Sequence, residues 1–98
     1  MTYMKLGNVL SFPGATPTKQ QTLKVLEEAA EVFGAWQLMR DTTDAGLNPK
    51  HEMADLVDEI ADTIQACCNL ASALGVTDLT PHLARCEERN RRRGRYDE

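Results

Sequence analysis

Residues 49–75 read PKHEMADLVDEIADTIQACCNLASALG, and their pattern decides the fold class. Met53, Val57, Ile60, Ile64, Cys67, Ala71 and Leu74 recur at steps of three and four, the spacing that gathers side chains on one face of an α-helix. At about 100° per residue, Asp55, Asp58, Glu59 and Asp62 collect on the opposite side, with Glu52 near its edge. Asn48-Pro49 supplies a start, a capping side chain followed by a proline suited to the first turn. Gly75 supplies a stop, because glycine readily takes the left-handed conformation that ends a helix. The stretch predicts a helix from about Pro49 to Leu74 whose apolar stripe is its core face.

The same punctuation recurs on either side. Thr16-Pro17 opens a helical pattern expected to run to about Arg40, and Thr80-Pro81 opens another that ends near Arg93, before Gly94. In the first of these, Leu23, Leu26, Ala30 and Phe33 form a stripe that Val25, Ala29, Val32 and Trp36 widen to about half the circumference. So broad an apolar arc suits a helix lying between neighbours, some of them from a second subunit. Residues 1–16, with Gly7, Pro13 and Gly14, show no sustained period and read as an irregular arm before a helical domain at 17–95. At 98 residues the chain is one domain, and only 5% of it is aromatic while Ala, Leu, Glu and Arg abound. The expected class is all-α, a bundle of about three helices per chain completed by oligomerisation, since so short a chain buries little surface alone. No apolar run suggests a membrane partner. The three cysteines form neither a paired framework nor a CxxC signature, which fits a reducing cytoplasm.

Charge is distributed unevenly. Between Glu27 and Asp62 ten acids face two bases, Arg40 and Lys50, while six of the eleven basic residues (Arg85, Arg89, Arg91, Arg92, Arg93 and Arg95) crowd the C-terminus. Glu28 and Glu31 stand three apart on the first helix, and Glu59 and Asp62 three apart on the second, so each pair projects from adjacent turns of one face. Packed antiparallel, the two helices can offer all four carboxylates to one site. Hard divalent cations want such oxygen donors, and Mg²⁺ keeps waters that phosphate oxygens can replace. The bland alternative is a solvated acidic face. Against it, no Lys or Arg lies between His51 and Ala84 to balance the acids, and like charges three or four apart cost roughly 0.2–0.5 kcal/mol each. The arginines supply the complementary half, suited to bidentate contact with a polyphosphate, or form a soluble tail at the negative end of a helix dipole.

Leu26-Glu27-Glu28-Ala29-Ala30-Glu31 followed by Asp58-Glu59-Ile60-Ala61-Asp62 resembles the ExxE…ExxD signature of the MazG-like, all-α nucleotide pyrophosphohydrolases. Asn69-Leu70-Ala71 with Gly75-Val76-Thr77-Asp78-Leu79 is similar to the family's exit from that helix, and Asn90-Arg91-Arg92-Arg93 to its C-terminal basic motif. The resemblance implies Mg²⁺-dependent cleavage of a nucleoside triphosphate between the α and β phosphates, to a monophosphate and pyrophosphate, with Mn²⁺ as the alternative cofactor. It also implies that Glu28, Glu31, Glu59 and Asp62 are metal ligands and catalytic carboxylates, and that Asn90 and Arg93 contact phosphate or sugar, with Lys24 assisting. A homodimer or homotetramer is the expected assembly. The chain departs from the family pattern in having only the arm before the ExxE helix, in Ala66 where relatives often carry a large aromatic, and in Cys86 where several have Lys.

Trp36 offers a flat surface for a nucleobase or, extending the apolar arc, for a core or subunit contact. Neither His51 nor His82 forms Glu-x-x-His, the ligand pair a di-iron bundle needs. Two other classes of function compete with the enzyme. One is a nucleotide-sensing protein that keeps the acidic site without turnover. The other is a helical oligomerisation module whose arginine-rich end binds nucleic acid, disfavoured by the scarcity of aromatic residues for stacking and a pI of about 5.1.

Overall fold

The computed structural model describes residues 2–97, which form three helices and no strands: α1 (Lys19–Asp44), α2 (Lys50–Ala73) and α3 (Thr80–Arg92). None is long and apolar enough to cross a membrane. Residues 2–18 run without helix or strand, as an arm.

Local chemistry accounts for the ends. Thr18 caps α1, its side chain accepting from the Gln21 N–H, so the helix starts two residues later than Pro17. It also runs four residues past Arg40, where an Arg40–Asp44 ion pair of 3.2 Å and a Thr43 hydroxyl donating to the Met39 carbonyl secure an extra turn. Asn48 accepts from the Lys50 N–H and Asp78 from the Thr80 N–H, fixing the entries to α2 and α3. All three helices stop in one way. Gly46, Gly75 and Gly94 each take positive φ, donate to the carbonyl three residues back, and are followed by a residue that donates five back, the paired bonds of a Schellman motif.

α1 and α2 pack as an antiparallel hairpin. On α1 the less exposed positions are Gln21, Val25, Glu28, Val32, Ala35, Met39 and Thr42; on α2 they include Glu52, Leu56, Glu59, Thr63, Ala66, Leu70 and Ala73. Both series step by three and four, so these are the faces that meet. The α2 stripe expected to be its core face lies elsewhere: Met53, Val57, Ile60, Cys67 and Leu74 are exposed, and only Ile64 and Ala71 are half-buried. The face used instead carries the small Thr63, Ala66 and Ala73, which let the helix axes approach and leave the bulky side chains outside. The two apolar arcs then share one side of the hairpin, where Val25, Leu26 and Ala29 of α1 line a groove with Cys67, Leu70, Ala71 and Leu74 of α2.

Among the described residues only Ala66 and Asn69 are buried, each 4% exposed. No Cα of α3 comes within 8 Å of α1 or α2. The accessible surface is 7898 Å², against roughly 5,600 Å² for a folded monomer of this mass. The radius of gyration of 16.3 Å likewise exceeds the roughly 12.6 Å of a compact chain of this length.

Gly75 sits at φ +85°, and a Cβ built there meets nothing within 4 Å. Gly75→Ala therefore incurs only the backbone penalty and should lower unfolding free energy by about 1–2 kcal/mol, read by urea denaturation. Gly34, inside α1 with equally open space, should behave oppositely, Gly34→Ala gaining about 0.5–1 kcal/mol.

Candidate metal centre

Because the face joining α1 to α2 contains Glu28, Glu59 and Glu52, the hairpin carries acids into its own seam. One carboxylate oxygen from each of Glu28, Glu59 and Asp62 converges so that all three lie within 4.8 Å of one another. Glu28 and Glu59 are half-buried and Asp62 is exposed, so the cluster opens to solvent on one side. Asp62 follows Glu59 by nearly one turn and points away from the apolar side, as Glu31 does relative to Glu28. The hairpin is therefore two-sided, with acids along one edge of the seam and large apolar side chains along the other.

Electrostatics here are unfavourable in the bare protein. The Glu28 side chain is 14% exposed. Burial holds its carboxyl above the ordinary 4.5, and the charges of Glu31 and Asp62 push the same way while Lys24 opposes them. Among the described residues Lys24 is the one base in ion-pair range of the cluster, its Nζ 3.7 Å from Glu28 Oε1 and 3.4 Å from Glu27 Oε2. The buried Glu59 Oε2 has no hydrogen-bond partner. An orphaned carboxylate oxygen in a helix–helix seam costs free energy that a cation would recover. Hard oxygen donors from rigid helices suit a divalent ion held about 2.1 Å from each oxygen, which spans pairs up to roughly 4.2 Å apart, so small side-chain rotations close the set.

The structure distributes the expected site residues unevenly. Glu28, Glu59 and Asp62 come together; Glu31 stands beside Glu28, exposed and outside the converging trio; Lys24 reaches Glu28 from one turn earlier. Trp36 lies on the apolar side, stacked on Phe33 with ring centroids 5.8 Å apart. Asn90 and Arg93 ride on α3, which does not pack on the hairpin, and the Asn90 amide contacts only Cys86 Sγ among the hydrogen bonds described. Glu52 is the residue that sequence reasoning placed too far out. Its Oε2 is buried in the seam and unpartnered, and the signal was the seven-residue repeat Glu52-Met-Ala-Asp55 and Glu59-Ile-Ala-Asp62, two turns that share one face. Compared with protein-family models, curated proteins and solved structures, the chain matches none of them.

The raised Glu28 value fixes a sign. Native protein keeps that proton to higher pH than the unfolded chain, so the contribution of Glu28 to stability is full below 4.5 and is lost as pH rises through the folded value. The stability difference between wild type and Glu28→Gln, measured without metal by urea denaturation across this range, should shift in favour of the variant as pH rises. Glu59→Gln, also metal-free, relieves like charges worth about 0.5 kcal/mol and should raise the melting temperature by about 2–4 °C in calorimetry.

Proposed function

We propose that this chain is a Mg²⁺-dependent nucleoside triphosphate pyrophosphohydrolase that works as a homo-oligomer. The observation that carries this reading is the convergence of Glu28, Glu59 and Asp62 oxygens within 4.8 Å across two helices. The ExxE…ExxD spacing and the arginine-rich C-terminus support it.

Glu28, Glu59 and Asp62 would hold the ion, which when bound supplies Lewis-acid neutralisation of phosphate charge and a lowered pKa for the attacking water. Glu31, exposed and outside the trio, is placed to orient that water at the α phosphorus and to accept its proton. Water's oxygen bonds to the α phosphorus as the α–β bridging bond breaks, giving the nucleoside monophosphate and pyrophosphate. Lys24, paired with Glu28, balances charge at one end of the acid edge and would meet the phosphate chain there. Asn90 and Arg93 serve the same anion when α3 of this chain, or of another copy, closes on the hairpin.

The assembly follows from uncovered surface. Leu26, Phe33 and Trp36 of α1 and Met53, Val57 and Ile60 of α2 are all exposed on the apolar side. The excess of about 2,300 Å² over a compact monomer exceeds the roughly 800 Å² that each partner buries in a standard interface. A second copy packed here leaves the acid edge open to solvent.

One observation favours a rival. α3 stands free of the hairpin and aligns Arg85, Arg89 and Arg92 on one face. A module that binds nucleic acid through that face would show salt-dependent DNA binding indifferent to metal.

A panel of nucleoside triphosphates scored for pyrophosphate, with and without Mg²⁺, tests the enzyme. Turnover should require metal, and Glu59→Gln should reduce it by about 100-fold or more while helicity is kept. Mg²⁺ stabilisation without turnover would instead indicate a nucleotide sensor. For the assembly, Val57→Asp should shift the species seen by light scattering from oligomer toward monomer, because a charge cannot stay unpaired in an apolar interface.

A further inference from the structure

Beyond Asp62, α2 carries two carboxamides on the same side, Gln65 and Asn69. Gln65 Nε2 donates to the Leu10 carbonyl and to Asn69 Oδ1, both at 2.9 Å, and the Phe12 N–H donates to Asn69 Oδ1 at 3.0 Å. The two side chains thus grip a carbonyl and an amide of the arm two residues apart. Asn69 is the one polar residue buried among those described, at 4% exposed. At this end the arm's own side chains contribute little, Leu10 being 88% and Phe12 61% exposed. Here it is held by its backbone.

The far end of the arm reaches α3. Tyr3 lies near enough to Glu87 for that carboxylate to hold its hydroxyl above the ordinary value of 10, Glu87 takes a 3.0 Å bond from Arg91, and Arg91 lies over the Tyr96 ring at 5.4 Å. Thr2, Tyr3 and Met4 form a cleft with those three residues. Since no Cα of α3 lies within 8 Å of either other helix, the arm and the short 74–79 connection are its nearest ties to the hairpin. A helix of 13 residues standing alone is marginal in water.

We propose that Gln65 and Asn69 are positioning residues: they anchor residues 2–12 as a strap that keeps α3 folded and holds Asn90 and Arg93 in a defined relation to the acid-bearing hairpin. The effect on substrate rests on the pyrophosphohydrolase reading; the effect on α3 does not. Amide hydrogen exchange on the full chain, comparing wild type with Gln65→Ala, Asn69→Ala and Tyr3→Ala, tests it. Peptides from residues 8–13 and from α3 should exchange about tenfold faster in the two α2 variants, with α1 and α2 unchanged. Tyr3→Ala, which empties one wall of the cleft against α3 and leaves the seam untouched, should release α3 alone. Unchanged α3 exchange in a variant that frees the Phe12 amide overturns the proposal, as does equal acceleration of all three helices. Where wild type turns over a triphosphate, Gln65→Ala should raise KM several-fold and leave kcat nearly unchanged, the mark of lost ground-state binding. A wild type without turnover sinks the enzyme reading while exchange still decides the strap.

Discussion

Two carboxylates held in the contact face of a two-helix hairpin, with a third at its rim, are the constraint on which the rest of the structure depends. A seam between amphipathic helices ordinarily takes the largest apolar side chains, because that choice removes most surface from water. Here Glu28 and Glu59 occupy it, Asp62 stands at its rim, and Glu59 Oε2 is left without a partner. Like charges so placed repel, and desolvation pushes Glu28 above its ordinary value. A fold that holds such a cluster gives up stability in its seam.

Having acids in the seam decides where the apolar residues go. Met53, Val57 and Ile60 on α2 and Leu26, Phe33 and Trp36 on α1 face outward together, and a chain with two buried residues among those described retains far more surface than its mass requires. The same two-sidedness separates tasks. Acids open on one edge, an apolar sheet of side chains is presented on the other, and the Gln65–Asn69 clamp sits along the acid edge, next to Asp62.

Much of this was legible in the sequence. Three helices and their glycine stops at Gly75 and Gly94 follow from periodicity and spacing; of the four carboxylates expected to converge, Glu28, Glu59 and Asp62 do and Glu31 does not. The far end of α1 was not, because Arg40–Asp44 pairing and the Thr43 back-bond are local interactions weaker than the glycine signal that follows them. Nor was the inward face of α2. Periodicity says which residues share a face but not which neighbour covers it, so the stripe from Met53 to Leu74 read as core when it is the outer surface of this chain. Trp36 was legible as part of the apolar arc, and it lies on that side, stacked on Phe33. The arm's anchoring was invisible, since Gln65 and Asn69 grip backbone atoms that every sequence possesses.

We propose that Glu28, Glu59 and Asp62 form one cation site, and a paramagnetic ion tests it directly. Mn²⁺, titrated in small amounts into the isotopically labelled protein, broadens NMR signals according to distance from the ion and so reports its position directly. Signals of Glu28, Glu59 and Asp62 and their sequence neighbours should vanish first, with excess Mg²⁺ restoring them. Broadening centred on Asp41 and Asp44, or spread evenly over every exposed acid, would contradict the claim.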